Sequence, residues 1–210
     1  MGLVLGLVIV AGLMLADRLG VFGDRARSNA PGSSSVQHNN ASDMQAYDGK
    51  VFKVTYVVDG DTLDIDAPDA VRGKKVTRIR LWGVDTPETV KPNTPIQHFG
   101  PQASAFTKKF CLGNGKLVRL TLVKNRDTRC KYGRLLAYVI SEKEDGSGAC
   151  LNAELIGQGY GYHDPRYSHP LRDEFAKLQD KAHAARAGLW AEAKSSDMPY
   201  YLDRKFKSGR

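Results

Sequence analysis

The run Arg80-Leu81-Trp82-Gly83-Val84-Asp85-Thr86-Pro87-Glu88-Thr89 reads as a strand that stops at a proline and sets out two carboxylates there. Asp59-Gly60-Asp61-Thr62 lies before it and Lys131-Tyr132-Gly133-Arg134 after it. These residue types suit the cutting of a phosphodiester. Carboxylates at a strand end hold a hard cation, a further carboxylate activates water, and two arginines grip a phosphate. Each also has a plainer reading. Asp in a tight turn often bonds only its own backbone, Glu88 is a surface acid, and Arg80, alternating with Ile79 and Leu81, points to solvent. For a lone Asp-Gly-Asp the plain reading would prevail.

The elements that must position these groups come next. Residues 50–58 and 62–66 are β-branched runs around Asp59-Gly60, which predicts a hairpin. Residues 76–82 alternate Val, Ile and Leu with Thr and Arg, and 117–123 and 135–140 supply two more strands. Residues 101–112 place Ala103, Phe106 and Phe110 at helical spacing, and 151–158 and 171–187 are further helices. The fold class is mainly β with α: a five-stranded barrel of the OB type with about three helices, one inserted after the third strand.

VVDGDTLDI, RIRLWGVDTPET, FGPQASAFTKKF, KYGRLLAYV and LNAELIGQGY stand in the order and approximate spacing of the staphylococcal nuclease (thermonuclease) family, which the chain resembles over residues 50–192. The resemblance implies the barrel and assigns roles. Asp61 and Asp85 become calcium ligands through their side chains and Thr86 through its carbonyl, with Asp59 standing behind them or acting through a water. Oxygen-only ligation suits Ca2+, and no matched Cys or His set argues for zinc. Glu88 becomes the general base or the group that orients water, beyond Pro87, whose fixed φ ends the strand. Arg80 and Arg134 clamp the phosphate, and Lys131 and Tyr132 contact the neighbouring one on the 3′ side. The implied activity is endonucleolytic cleavage of DNA and RNA to 3′-phosphate ends.

The sequence departs from the family in two places. Cys130 replaces the family's Asp before Lys-Tyr-Gly-Arg, and the segment 160–170 differs in length and composition. Base stacking is expected of Tyr167 first and Tyr162 second, since stacking tolerates any base. His163 and His169 beside Asp164 imitate a metal site but are expected to be solvated, with no metal assigned. The rival reading is a non-catalytic nucleic-acid-binding OB-fold module tethered to the membrane. A structural envelope protein is a third. Neither requires Asp61, Asp85, Glu88, Arg80 and Arg134 together.

The formal charge of +8 and pI near 9.4 favour a polyanionic partner by counterion release and steering, while being common in proteins with no such partner. At 210 residues the chain fits one modest domain with appendages. Residues 49–192 are the nuclease-like domain, expected to be monomeric. Residues 2–16 carry no charge, short of the about 20 apolar residues that a full span needs, although Leu19, Val21 and Phe22 extend the stretch. Residues 1–23 are thus expected to be an uncleaved signal anchor, touching membrane through 1–22, or a cleaved signal peptide. The basic n-region and small-x-small site of a cleaved signal are lacking. Arg18, Arg25 and Arg27 favour a cytoplasmic C-terminal side, whereas the resemblance favours an exported, membrane-anchored domain, or a secreted one if the segment is cleaved.

Residues 24–48, rich in Ser, Asn, Gln, Gly and Pro, are expected to be a flexible tether. Residues 193–210 are a basic tail, solvated or packed through Tyr200 and Leu202. Three cysteines leave one unpaired in a single chain. By the family fold, Cys111 and Cys150 approach one another, and a disulfide between them is expected if the domain is exported. The alternative is three thiols in a reducing compartment.

Overall fold

The computed structural model of the protein describes residues 34–90, 95–113, 115–142, 148–202 and 206. The β-branched runs form strands whose buried faces meet in one interior. β1 (Val51–Val57) buries Val54 and Val57 and leaves Tyr56 exposed, the alternation of a strand with one wet face. β2 (Thr62–Ile65) returns beside it after the Asp59-Gly60 turn, and β3 (Thr77–Leu81) pairs antiparallel with β2. β5 (Leu117–Thr121) and β6 (Leu135–Ser141) complete the circuit, with β6 parallel to β3 and β5 antiparallel to both β6 and β1. The barrel closes in the order β1-β2-β3-β6-β5, the expected five-stranded arrangement. Closure removes the unpaired edges that an open sheet would expose.

β2 and β6 are buried at every position. Helices cover what the barrel interior does not. α2 (Gly100–Gly113) turns Ala103, Thr107 and Cys111 inward at i, i+4, i+8. α3 (Leu151–Gly157) buries Leu151, Ala153, Leu155 and Ile156, and α4 (Arg172–Ala184) adds Phe175 and Leu178 to the same core while Ala182 joins the cluster around Trp190. Buried Asn152 at the start of α3 bonds the carbonyls of Trp82 and Ala137 at 3.0 and 3.2 Å and accepts from the Val139 amide at 3.0 Å. It thereby fixes the end of β3, where the chain turns toward Asp85.

That turn is set by Gly83, whose φ of 74° is open to glycine at little strain. A Cβ there would run into the His169 imidazole. Beyond it the two-residue strand β4 (Val84–Asp85) pairs antiparallel with β7 (Tyr162–His163), bringing Asp85 opposite Tyr162. Strands this short gave no periodicity to read.

Several expectations need correction. The second half of the expected tether is not a tether: α1 (Ser34–Tyr47) is a helix docked on the barrel. Met44 and Tyr47 pack against the core, and the Tyr47 hydroxyl bonds Thr77 Oγ1 and the Pro68 carbonyl, both at 3.0 Å. Asp43, 2% exposed, receives Arg129 Nε and Nη2 and Thr128 Oγ1, each at 2.7 Å. Composition misled because this helix is held by specific polar contacts rather than by an apolar stripe.

The tail packs rather than extends. Leu202 and Phe206 are buried with Trp190 and Leu189, while Tyr200 stays 81% exposed. The expected Cys111–Cys150 disulfide is not made. Cys111 closes α2, and Cys150 sits in a bridge to Ile140 ahead of α3, each buried in apolar surroundings that push its thiol up to about 12. The apolar segment 2–16 lies outside the described residues. No helix among those is long and apolar enough to cross a membrane.

Candidate active site

β2 and β3 pair so that Thr62 lies opposite Arg80, which puts Asp61, at the mouth of β2, beside the Arg80 guanidinium. Arg80 Nη1 contacts Asp61 Oδ2, and Arg80 Nη2 donates to Asp85 Oδ1 at 2.8 Å. One fork therefore bridges two carboxylates that come from different strands. Arg80 is 6% exposed, so the expectation that it might simply face solvent is not met. A buried charge of this kind requires paired partners, and the two aspartates supply them.

Asp61 is held on every side. Its Oδ2 accepts from the Thr86 amide at 3.0 Å and from Thr86 Oγ1 at 3.2 Å, and its Oδ1 accepts from Thr62 Oγ1 at 2.9 Å. Asp59 Oδ1 in turn takes the Asp61 amide at 3.2 Å. The approach of Thr86 depends on Gly60, where a Cβ would lie 2.7–2.8 Å from the Thr86 side chain. Thr107 of α2 adds a 2.7 Å bond to the Gly60 carbonyl and anchors the turn from the other side.

Burial pushes the Asp59 carboxyl up from its ordinary value, opposed by Arg80 and reinforced by Glu88. Glu88 itself is half-buried, with Oε1 accepting from the Thr89 and Val90 amides at 3.0 and 2.9 Å. Gln97 Oε1 takes the Glu88 amide at 2.7 Å, so the carboxylate stands on a braced turn.

Arg134, entering β6, reaches Thr62 Oγ1 at 3.3 Å and Cys130 Sγ at 3.5 Å. Those are long contacts that an anion would outcompete. For the Cys130 thiol, burial pulls upward but the Arg134 hydrogen bond and charge hold it below its ordinary value. Lys131 Nζ and the Arg134 guanidinium lie 5.0 and 5.5 Å from the Tyr132 ring centroid, and Tyr132 is 65% exposed. Arg129 steadies this loop from beneath, donating to the Gly133 carbonyl at 2.9 Å while it pairs with Asp43 and Asp69.

The two tyrosines expected to stack on bases differ in exposure. Tyr162 is 2% exposed and meets Trp190 edge-on at 5.3 Å, so neither face is open to a base. Tyr167 is partly buried against the core. Among the described residues, exposed tyrosine rings stand at Tyr56, Tyr132 and Tyr200. His163 and His169 are buried, not solvated. They pack against Phe175, with Tyr138 Oη and His169 Nδ1 2.8 Å apart.

Two residues at the site were not anticipated. Arg166 Nη2 lies 3.4 Å from Asp85 Oδ2, and the Tyr201 hydroxyl donates to that same oxygen at 2.8 Å. Arg166 carries no periodic signal and Tyr201 lies in the basic tail, so nothing local marked either one.

The donor set fits a hard cation. Asp61 and Asp85 offer carboxylate oxygens, Thr86 a backbone carbonyl, and the arginine bridging both aspartates shows that the spot demands positive charge. Among the described residues no group of three or more His, Cys, Asp or Glu side chains that could hold a metal ion is found.

The chain is similar to known nucleases. The family model described as staphylococcal nuclease homologue matches residues 78–192. A thermonuclease of Staphylococcus intermedius is 48% identical over 145 residues, covering 68% of this chain and 77% of the relative. A thermonuclease of Staphylococcus hyicus is 40% identical over 145 residues, covering 68% and 76%. Endonuclease YncB of Bacillus subtilis is 35% identical over 146 residues, covering 69% and 64%. Matched over more than half its length by that model and at 40–48% identity by the thermonucleases, the chain belongs to the staphylococcal nuclease family.

Proposed function

We propose that this chain is a calcium-dependent endonuclease that hydrolyses phosphodiesters of DNA and RNA to 3′-phosphate ends. The convergence of Asp61 and Asp85 on the Arg80 guanidinium at the barrel mouth carries the reading. Calcium held by Asp61, Asp85 and the Thr86 carbonyl would supply Lewis-acid polarisation of the phosphoryl group and a lowered pKa for water. Arg80 and Arg134 approach from β3 and β6, neighbouring strands, and bind the equatorial oxygens whose charge grows in the transition state. Glu88 orients the attacking water in line with the scissile bond and accepts its proton. Lys131 and Tyr132 take the adjoining phosphate, and the exposed Tyr132 ring offers a base a stacking face. The excess of basic residues strengthens encounter with a polyanion.

Glu88→Gln tests the assignment of the base, since it keeps shape and removes proton acceptance. Positioned proton transfer is worth roughly 10² to 10⁴ in rate. Single-turnover cleavage of a short oligonucleotide should slow by about that range at saturating calcium, with substrate binding retained. A loss below about threefold would remove Glu88 from the chemistry.

A further inference from the structure

Asp61 is fixed by three hydrogen bonds and the Arg80 contact, but Asp85 is not so secured by its own neighbourhood. It sits on a two-residue strand, its side chain is 27% exposed, and β3 offers it Arg80 alone. The rest of its hold arrives from far along the chain. Tyr201 donates its hydroxyl to Asp85 Oδ2 at 2.8 Å. The same Tyr201 ring lies 4.2 Å from the Arg166 guanidinium, whose Nη2 is 3.4 Å from that oxygen. Asp164, fully buried, grips Arg166 through Nε at 2.8 Å and Nη2 at 2.7 Å. The tail that carries Tyr201 is itself pinned, because Leu202 and Phe206 are buried and Phe206 packs on Trp190 and His183.

We infer that Tyr201, presented by the docked C-terminal tail, is a positioning residue for the Asp85 carboxylate and raises the affinity of the site for calcium. The inference rests on Asp85 being a calcium ligand, as proposed above. Three observations carry it. First, a phenol is a neutral donor that orients a carboxylate while leaving acceptor sites on both oxygens for a cation. Second, Leu202 and Phe206, buried in the cluster around Trp190, hold the tail where the Tyr201 hydroxyl meets Asp85 Oδ2 at 2.8 Å. Third, Asp164 already neutralises Arg166, so that the arginine buttresses the tyrosine ring more than it competes with a cation for Asp85. The staphylococcal nuclease match covers residues 78–192 and does not include Tyr201.

Removing hydrogen-bond partners of metal ligands typically weakens metal affinity by about 10- to 100-fold. Tyr201→Phe keeps the ring on Arg166 and deletes only the hydroxyl. Calcium binding to the full chain, measured by calorimetry without nucleic acid, should weaken by about tenfold, with the calcium-free melting temperature unchanged. Asp61→Asn, run in parallel, should abolish that binding. If Asp61→Asn binds as wild type does, or wild type binds no calcium, the site reading fails and takes this inference with it. If Asp61→Asn loses binding while Tyr201→Phe matches wild type, the inference alone is overturned. Tighter binding by Tyr201→Phe would also overturn it, showing the tail to be a competitor for Asp85. A lowered melting temperature that fully accounts for weaker binding would assign Tyr201 to folding instead. Tyr200→Phe, one residue earlier and 81% exposed, should bind calcium as wild type does.

Discussion

Replacing Arg80 by lysine perturbs the point on which the site turns. In the native protein two separate nitrogens serve two carboxylates, Nη1 on Asp61 and Nη2 on Asp85 at 2.8 Å. A lysine ammonium is a single compact charge on a flexible stem and cannot reproduce that planar fork. One charge-assisted contact is therefore lost, worth about 1.5–3 kcal/mol of stability in a buried setting. Asp61 keeps its bonds from Thr86 and Thr62, so the variant should still fold. The larger consequence falls on the reaction. If Arg80 also binds the equatorial oxygens, losing its fork removes a donor aimed at developing charge, which is worth roughly 10² to 10³ in rate. Single-turnover cleavage of a short oligonucleotide gives the rate, and binding measured separately in chelator gives the ground-state affinity. The expected result is a rate lowered by about 10² or more with affinity changed by less than about tenfold. Equal losses in rate and affinity would make Arg80 a plain phosphate anchor, and an unchanged rate would refute its place in the chemistry.

Three other outcomes follow from the packing. Asp43→Ala leaves buried Arg129 with Asp69 as its remaining carboxylate, so urea unfolding should show about 1.5–3 kcal/mol lost; a loss under about 0.5 kcal/mol would mean that α1 does not secure the Arg129 loop. His169, lowered to about 4 by burial, then by His163 and Arg172 against the opposing pull of Asp164, stays neutral in the fold. The unfolded chain then binds the extra proton, so the His169 contribution is complete above pH 6.5 and fades toward pH 4, by about 3 kcal/mol in all. His169→Phe should flatten that slope relative to wild type, and parallel slopes would exclude the histidine. Timed alkylation without reductant should label Cys130 first and leave Cys111 and Cys150 protected until the protein unfolds.

The barrel was legible because alternating β-branched runs announce half-buried strands, and turn residues such as Asp59-Gly60 separate them. Asp61, Asp85, Arg80 and Glu88 could be named by residue type and by family likeness. The meeting of Asp61, Arg80 and Asp85 at one mouth comes from strand register, Thr62 opposite Arg80, which no local spacing encodes. α1 stayed hidden because its polar composition reads as solvated chain; its order derives from Asn40 and Asp43 reaching Thr128 and Arg129 more than 80 residues away. Tyr162 misled in the opposite sense. An aromatic in a loop suggested a stacking wall, but pairing of β7 with β4 turns that ring into the cluster around Trp190. Tyr201 had no sequence signal, since its role depends on Leu202 and Phe206 docking the tail.

The central claim is that the carboxylates and arginines at this barrel mouth cut nucleic acid with calcium. The most direct test incubates the full chain with single-stranded DNA and with RNA, in calcium or in chelator, and maps the ends of the products. Cleavage of both polymers that stops in chelator, returns on restoring calcium and leaves 3′-phosphate ends is the predicted result. Retention of both polymers uncut, with binding unaffected by calcium, would contradict it and select a nucleic-acid-binding module in its place.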